Sequence, residues 1–569
     1  PTAREVEYRV ARVTGLAAGQ RYAYRVDGNG PFPDPCSRSQ PLGVHGPSEL
    51  VDPAAFRWSD QDFVRPRPQD LVIYECHIGT LTPGGTFDAA VAEFARIRSL
   101  GVTALEVMPV ASFPGRWNWG YDGAALFAPA AVYGGPDGFR TFVNAAHAAG
   151  LAVILDVVFN HFGPDGNYTG VYSGRYLTAR HATPWGDAVN FDDAGSREVR
   201  RFVIENVLHW HYEYHVDGFR FDATHAIFDD SSTHILAEVR DALTERHRGP
   251  IPPLLIAETH ENDVRYLRSR DVGGFGFDAV WADDFHHAAR TLVRPEHEGY
   301  LRSYSGTPEE LARTIEHGFL YEGQLDEAFG SARGTPARDR LWAQFVYCLQ
   351  NHDQVGNRAF GDRMAVAIGR DRQLALTVLL LLLPQTPLLF QGQEWCTTTP
   401  FQYFTDHEPQ LGAAVTDGRR REFAGFHAFR DESARLVIPD PQDPATFERS
   451  QLDSRSEQPG LAALSAAFHR ELLRLRAEDP VLRAAREGRT PLSASVENGA
   501  IVVDVDLPQG RRLIVLNVGP ATSFPVHEGS RAVLSSTDQK WGGPGSAVRM
   551  SAGALCLPPD CGVFVSVRD

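Results

Sequence analysis

The stretches AVILDVVFNH (residues 152–161), GFRFD (218–222), LLIAET (254–259) and FVYCLQNHD (345–353) share one design: an apolar run that ends on acids, amides and imidazoles. A strand covered on both faces reads as a continuous apolar run, and such strands belong to parallel sheets flanked by helices. Working outward, runs of the same kind lie at 71–77, 104–109, 277–282 and 387–391. The segments between them carry helical periodicity, at 87–100, 139–149, 197–214, 234–247 and 372–383, with a last helix at 461–477. Eight βα units in series predict an α/β fold, a (β/α)8 TIM barrel, rather than an open sheet.

At 569 residues the chain exceeds what one core holds. The barrel is expected over 65–488. Before it, residues 1–64 show strand patterns at 5–13 and 21–26 and then a Pro/Gly/Ser-rich connector, which reads as a β-sandwich domain incomplete at its start. After it, alternating strands at 501–506, 512–517 and 562–567 predict a C-terminal antiparallel β domain over 489–569. Two connections, 159–196 and 395–459, are oversized. Both leave the C-terminal ends of strands, where barrel enzymes build their sites.

Composition narrows the function. A net charge of -17 and a pI near 5.7 repel phosphate backbones and anionic lipids, so no nucleic-acid and no membrane partner is expected. The longest apolar run, 374–383, is broken by Thr377 and stops at Pro384, too short for a span of ~20 residues, and reads as a buried helix leading to a buried strand. The six cysteines form no zinc spacing and read as reduced thiols, Cys556 and Cys561 included, which points to a cytoplasmic protein. No signal peptide is visible; the chain opens at Pro1 rather than Met, which leaves targeting open.

The chemistry lies at the strand ends. With a strand period of two, Arg220 and Asp222 share a face, so a guanidinium beside Asp222 keeps that carboxylate ionised, as a nucleophile requires. Glu258 ends an apolar run, where desolvation raises its pKa and suits it to be a general acid. Asp156, Asn160 and His161 end the third run, and His352 and Asp353 the seventh. Each alone reads as well as a cap, an ion pair or a satisfied core histidine. Together they form a ring of acids that fits the positive transition state of glycosidic cleavage.

These four segments resemble the four signatures of the α-amylase superfamily of retaining glycoside hydrolases. The resemblance implies Asp222 as nucleophile, Glu258 as acid/base and Asp353 as the group that fixes sugar hydroxyls with His161 and His352. It further implies that Arg220 holds the nucleophile, that Asp156 and Asn160 support the site, and that Tyr121 stacks on the sugar. The segments 33–48, 113–122 and 183–186 and the run 393–407 are similar to those of the maltooligosyltrehalose trehalohydrolases within that family. That similarity implies maltooligosyltrehalose and related α-glucans as substrates, no cofactor, and an aglycone pocket lined by Trp185, Phe401, Tyr403 and Asp406. Where many amylases carry Lys-His after the nucleophile, this chain has Ala223, Thr224 and His225, a departure from a plain endo-amylase. Some amylases bind calcium beside the residue matching Asn160, but no acidic cluster here compels a metal. A glycogen branching enzyme and a non-catalytic glycan-binding barrel are the alternatives.

Overall fold

Eight short strands close into a barrel. They are β1 (Ile73–Cys76), β2 (Ala104–Val107), β3 (Ala152–Val157), β4 (Gly218–Phe221), β5 (Leu254–Glu258), β6 (Ala279–Trp281), β7 (Phe345–Cys348) and β8 (Thr386–Phe390). Each runs parallel to the next, and β8 pairs back onto β1. The computed structural model describes residues 2–5, 8–247, 249, 251–454, 459–551 and 553–567. Every predicted strand is present, with ends trimmed by up to three residues where apolar sequence runs on past the last ladder hydrogen bond.

Alternate strand residues fall into two separate buried clusters, and that division positions the site. Tyr74, Leu105, Val153, Leu155, Phe219, Phe221, Leu255, Val280 and Tyr347 pack with the surrounding helices. Ile73, Ala104, Ile154, Ile256, Ala279 and Leu388 fill the barrel interior. Two residues further along the inward rows stand Glu75, Glu106, Asp156, Glu258 and Trp281. The interior is thus apolar at its base and charged at the C-terminal rim, because a period of two carries each inward row straight from core to cleft.

The helices follow the expected pattern with three differences. The segment 87–100 is two helices, Phe87–Val91 and Phe94–Leu100, separated at Glu93, whose side chain turns to Arg96 (2.6 Å) and Ser454 (2.9 Å). Two unpredicted helices, Asp284–Val293 and Pro308–His317, follow β6; the first buries Asp284, His286, His287 and Arg290. The oversized connections carry structure of their own: a hairpin of Leu177–Thr183 and Gly186–Val189 in the first, and helices Pro409–Glu422 and Pro444–Arg449 in the second.

Five C-terminal strands, Ser493–Glu497, Ala500–Leu507, Gly510–Asn517, Cys561–Val567 and Arg531–Ser535, form one sheet in that spatial order. One face shares a core with a three-stranded sheet (Thr522–Pro525, Ala554–Leu557, Arg549–Ser551), making a sandwich. The other face packs Ile501, Val503, Ile514 and Phe564 into the large core that holds Leu374–Leu383. Beyond its charged first turn, helix Arg370–Leu382 is buried all round because sheet and barrel cover it from two sides. The N-terminal segment contributes three small two-stranded antiparallel ladders. All six cysteines are free, and among the described residues no helix is long and apolar enough to cross a membrane.

Candidate active site

Arg220 organises the rim. Its guanidinium is completely buried and lies 4.2 Å over the Trp281 ring. Its Nη1 donates to both oxygens of Asp156 (2.9 and 2.8 Å) and to Oδ1 of Asp222 (2.8 Å). Its Nη2 stands 3.6 Å from Glu258 Oε2 and 3.9 Å from Asp353 Oδ2. One fixed cation therefore faces four carboxylates brought from the ends of β3, β4, β5 and β7.

The acids do not share one environment. Asp222 accepts from Arg220 on one oxygen and from the Asn160 amide on the other (2.7 Å), so both oxygens are acceptors, as a carboxylate's are. Glu258 accepts the Ala223 N–H at 2.5 Å, and burial pushes its carboxyl up to about 8; Arg220 opposes the rise, while Asp222 and Asp353 add to it. Burial lifts Asp156 to about 6 against the pull of Arg220. Of Glu258 and Asp156, only Glu258 is therefore mainly protonated at neutral pH.

His352 and Tyr121 complete the ring. The Tyr121 hydroxyl donates to Asp156 (2.6 Å) and receives the Nε2–H of His352 (2.7 Å), the two rings stacking at 5.2 Å. Burial opposes a charge on His352, but Asp353 and Glu75 raise its pKa to about 9. His161 sits beside Asn160 and the Tyr121 carbonyl, its pKa lowered by burial. Trp185, half exposed, stacks flat on His161 at 4.5 Å and 5°. Asp222, Glu258, Asp353, Tyr121, His161, Trp185 and Tyr403 line one cleft of about 290 Å³ together with Asn118, Trp119, Asp122 and Ala223.

Two sequence-derived site residues lie elsewhere. Phe401 is fully buried, its face stacked under Trp119 at 5.2 Å, so no sugar reaches it. Asp406 is held by the Arg116 backbone N–H (2.8 Å) and Nε (3.2 Å), tying two loops together. Gly115 (φ +77°) permits that approach, since a Cβ there would meet the Asp406 carbonyl at 2.0 Å. Apart from Tyr403, which lines the cleft, the run 399–407 buttresses it: the indoles of Trp117 and Trp119 donate to the carbonyls of Thr405 and Gln402. Glu75, Glu106 and Trp119 escaped the sequence reading. A lone acid inside an apolar strand, as in IYEC (73–76), was the available signal for Glu75.

The comparisons agree with this geometry. The family model for the alpha amylase catalytic domain matches residues 50–174. A malto-oligosyltrehalose trehalohydrolase from Deinococcus radiodurans is 43% identical over 509 residues, 89% of this chain and 82% of its own. The chain belongs to the malto-oligosyltrehalose trehalohydrolase family. Within its fold, a crystal structure of a candidate alpha amylase from Salmonella typhimurium superposes with a TM-score of 0.88 at 37% identity, covering 97% of this chain and 91% of that one. A 1,4-alpha-glucan branching enzyme from Rhodococcus jostii is more distant, 29% identical over 68% of this chain and 54% of its own. Trehalohydrolase kinship thus extends well beyond the segment that the amylase domain model covers.

Proposed function

We propose that the protein hydrolyses the α-1,4-glucosidic bond next to the terminal trehalose of maltooligosyltrehalose, releasing trehalose and a maltooligosaccharide with retention of configuration. The observation that carries the chemistry is the pairing, in one cleft, of a proton-holding Glu258 with an Asp222 whose two oxygens only accept. The printed name of the 43%-identical relative supports the substrate. Barrel residues 65–488 are the catalytic unit of this reading and the six free thiols favour a cytoplasmic setting.

In the first step Glu258 gives its proton to the glycosidic oxygen as an Asp222 oxygen attacks the anomeric carbon, expelling trehalose and leaving a glucosyl ester. Asp222 then carries no charge. Its negative charge is one of the causes that raise Glu258, so ester formation lowers the Glu258 pKa and turns the acid into a base. Glu258 takes a proton from water, the hydroxide attacks the same carbon, and Asp222 leaves as carboxylate. Asp353, 3.4 Å from His352 Nε2, grips the sugar hydroxyls and opposes the developing positive charge, while the Tyr121 and Trp185 rings offer faces to pyranose rings.

Product analysis tests the proposal. Incubated with maltooligosyltrehalose, the protein should release free trehalose, and Asp222→Asn and Glu258→Gln should each release none. Formation of α-1,6 branches from amylose with no trehalose from the capped substrate would make it a branching enzyme instead.

A further inference from the structure

At the base of the cleft Glu75 and Glu106 stand side by side on β1 and β2, directly paired in register, and both are 1% exposed. Glu75 spends both oxygens on His352: Oε2 accepts its backbone N–H at 2.9 Å and Oε1 meets ring Nδ1 at 2.5 Å. Glu106 keeps an Oε2 without a hydrogen-bond partner, and burial, with Glu75 beside it, lifts its carboxyl well above the usual range. Glu75, with both oxygens engaged by His352, is bonded as a carboxylate is, whereas Glu106 is not.

Proton counting then defines His352. The Tyr121 hydroxyl has one hydrogen, which goes to Asp156, so the bond between Tyr121 and His352 uses a hydrogen on Nε2. A Glu75 bonded in this way accepts on both oxygens, so Nδ1 carries a hydrogen as well. From Glu75 the hydrogen bonds run without a break through His352, Tyr121, Asp156 and Arg220 to Asp222.

We infer that Glu75 is a positioning residue of the reaction: from beneath the cleft it holds His352 with both ring nitrogens donating, and through His352 it fixes the Tyr121 ring and the chain that ends on Asp222. Its role in catalysis rests on the hydrolytic reading above; its hold on His352 does not. The charged and titratable groups around His352 are Glu75 on β1, Glu106 on β2, Asp156 on β3, Arg220 on β4, Asp353 next in the chain, Tyr121 from the loop after β2, and His77 past the end of β1. Of these, only Glu75 touches Nδ1.

The test is a ¹⁵N-histidine NMR titration of the full chain, with the His352 signal identified by its loss in His352→Gln. In the unaltered protein His352 should titrate near 9. Glu75→Gln should bring that titration down by about one to three pH units, the worth of a charge at contact. The same variant should lose roughly tenfold in kcat at pH 8, with a smaller loss at pH 6 and little change in KM, on the scale of one decade per pH unit. Glu75→Asp, which keeps the charge but withdraws it, should recover part of both. Glu106→Gln replaces an acid already neutral and should leave the titration in place. An unshifted His352 in Glu75→Gln, or a shift in Glu106→Gln instead, overturns the inference. If Glu75→Gln does not fold, the Glu75→Asp and Glu106→Gln titrations decide it, since only the first should move. Because the NMR arm uses no substrate, its failure is separate from a failure of the trehalose-releasing assignment.

Discussion

Replacing Glu258 with glutamine should kill the reaction and stabilise the protein, and the stabilisation should depend on pH in a defined way. The folded carboxyl holds its proton up to about 8, against 4.5 for the free side chain. Between those limits the folded chain binds a proton that the unfolded chain has released, so the stability of the unaltered protein falls as pH rises through this window. At ~1.4 kcal/mol per decade the full loss is on the order of 3–5 kcal/mol. A glutamine has no such titration and its oxygen still accepts the Ala223 N–H. The two proteins should therefore melt together near pH 5, diverge up to about pH 8, and keep a constant gap above it. With an unfolding entropy that scales with chain length, the gap is about 2.5–4 °C in Tm for a chain of this size. Scanning calorimetry at pH 5, 7 and 9, with matched buffers and scan rates, reads it directly. A gap that is the same at all three values, or widest at pH 5, would mean that Glu258 is not held neutral by its site, and the acid/base assignment would lose its physical basis.

The same proton governs catalysis: kcat/KM should fall tenfold per unit above about pH 8 as Glu258 ionises, and a flat profile to pH 9.5 would contradict this. Trp185→Ala should raise KM several-fold, from about 0.5–1.5 kcal/mol of lost ring contact, with an unchanged Tm, whereas Phe401→Ala should cost about 3–5 kcal/mol of stability by opening a cavity under Trp119; the reverse pattern would restore Phe401 to the cleft. His147, stacked on Phe63 and bridging Asp60 and Asp217 (2.9 Å each), ties the N-terminal segment to the barrel floor; burial opposes its charge but the two carboxylates raise its pKa overall. Its stabilising effect is complete below the ordinary histidine range and is lost as pH climbs through the raised value, so His147→Gln should melt lower than the parent at pH 6 and approach it at alkaline pH. A Tm difference that grows with pH would refute that clamp.

Much of this protein is legible in its residues alone. The eight strands could be read because a parallel barrel strand is buried on both faces and so declares itself as an apolar run, and Asp222, Arg220 and Glu258 could be placed because inward rows keep a period of two. That patterning is local, and a sequence displays it directly. Residues 401 and 406 show where it stops. An aromatic or an acid in a long loop reads the same whether it faces a sugar or packs against the chain, and only the fold, by laying 399–407 against Trp117 and Trp119, buries Phe401 and engages Asp406 with Arg116. Glu75 and Glu106 stand 31 positions apart, and nothing in either neighbourhood says which of the two engages His352. That choice belongs to the tertiary structure, because a buried acid is bonded by the partners that distant segments bring to it, here a histidine 277 residues away.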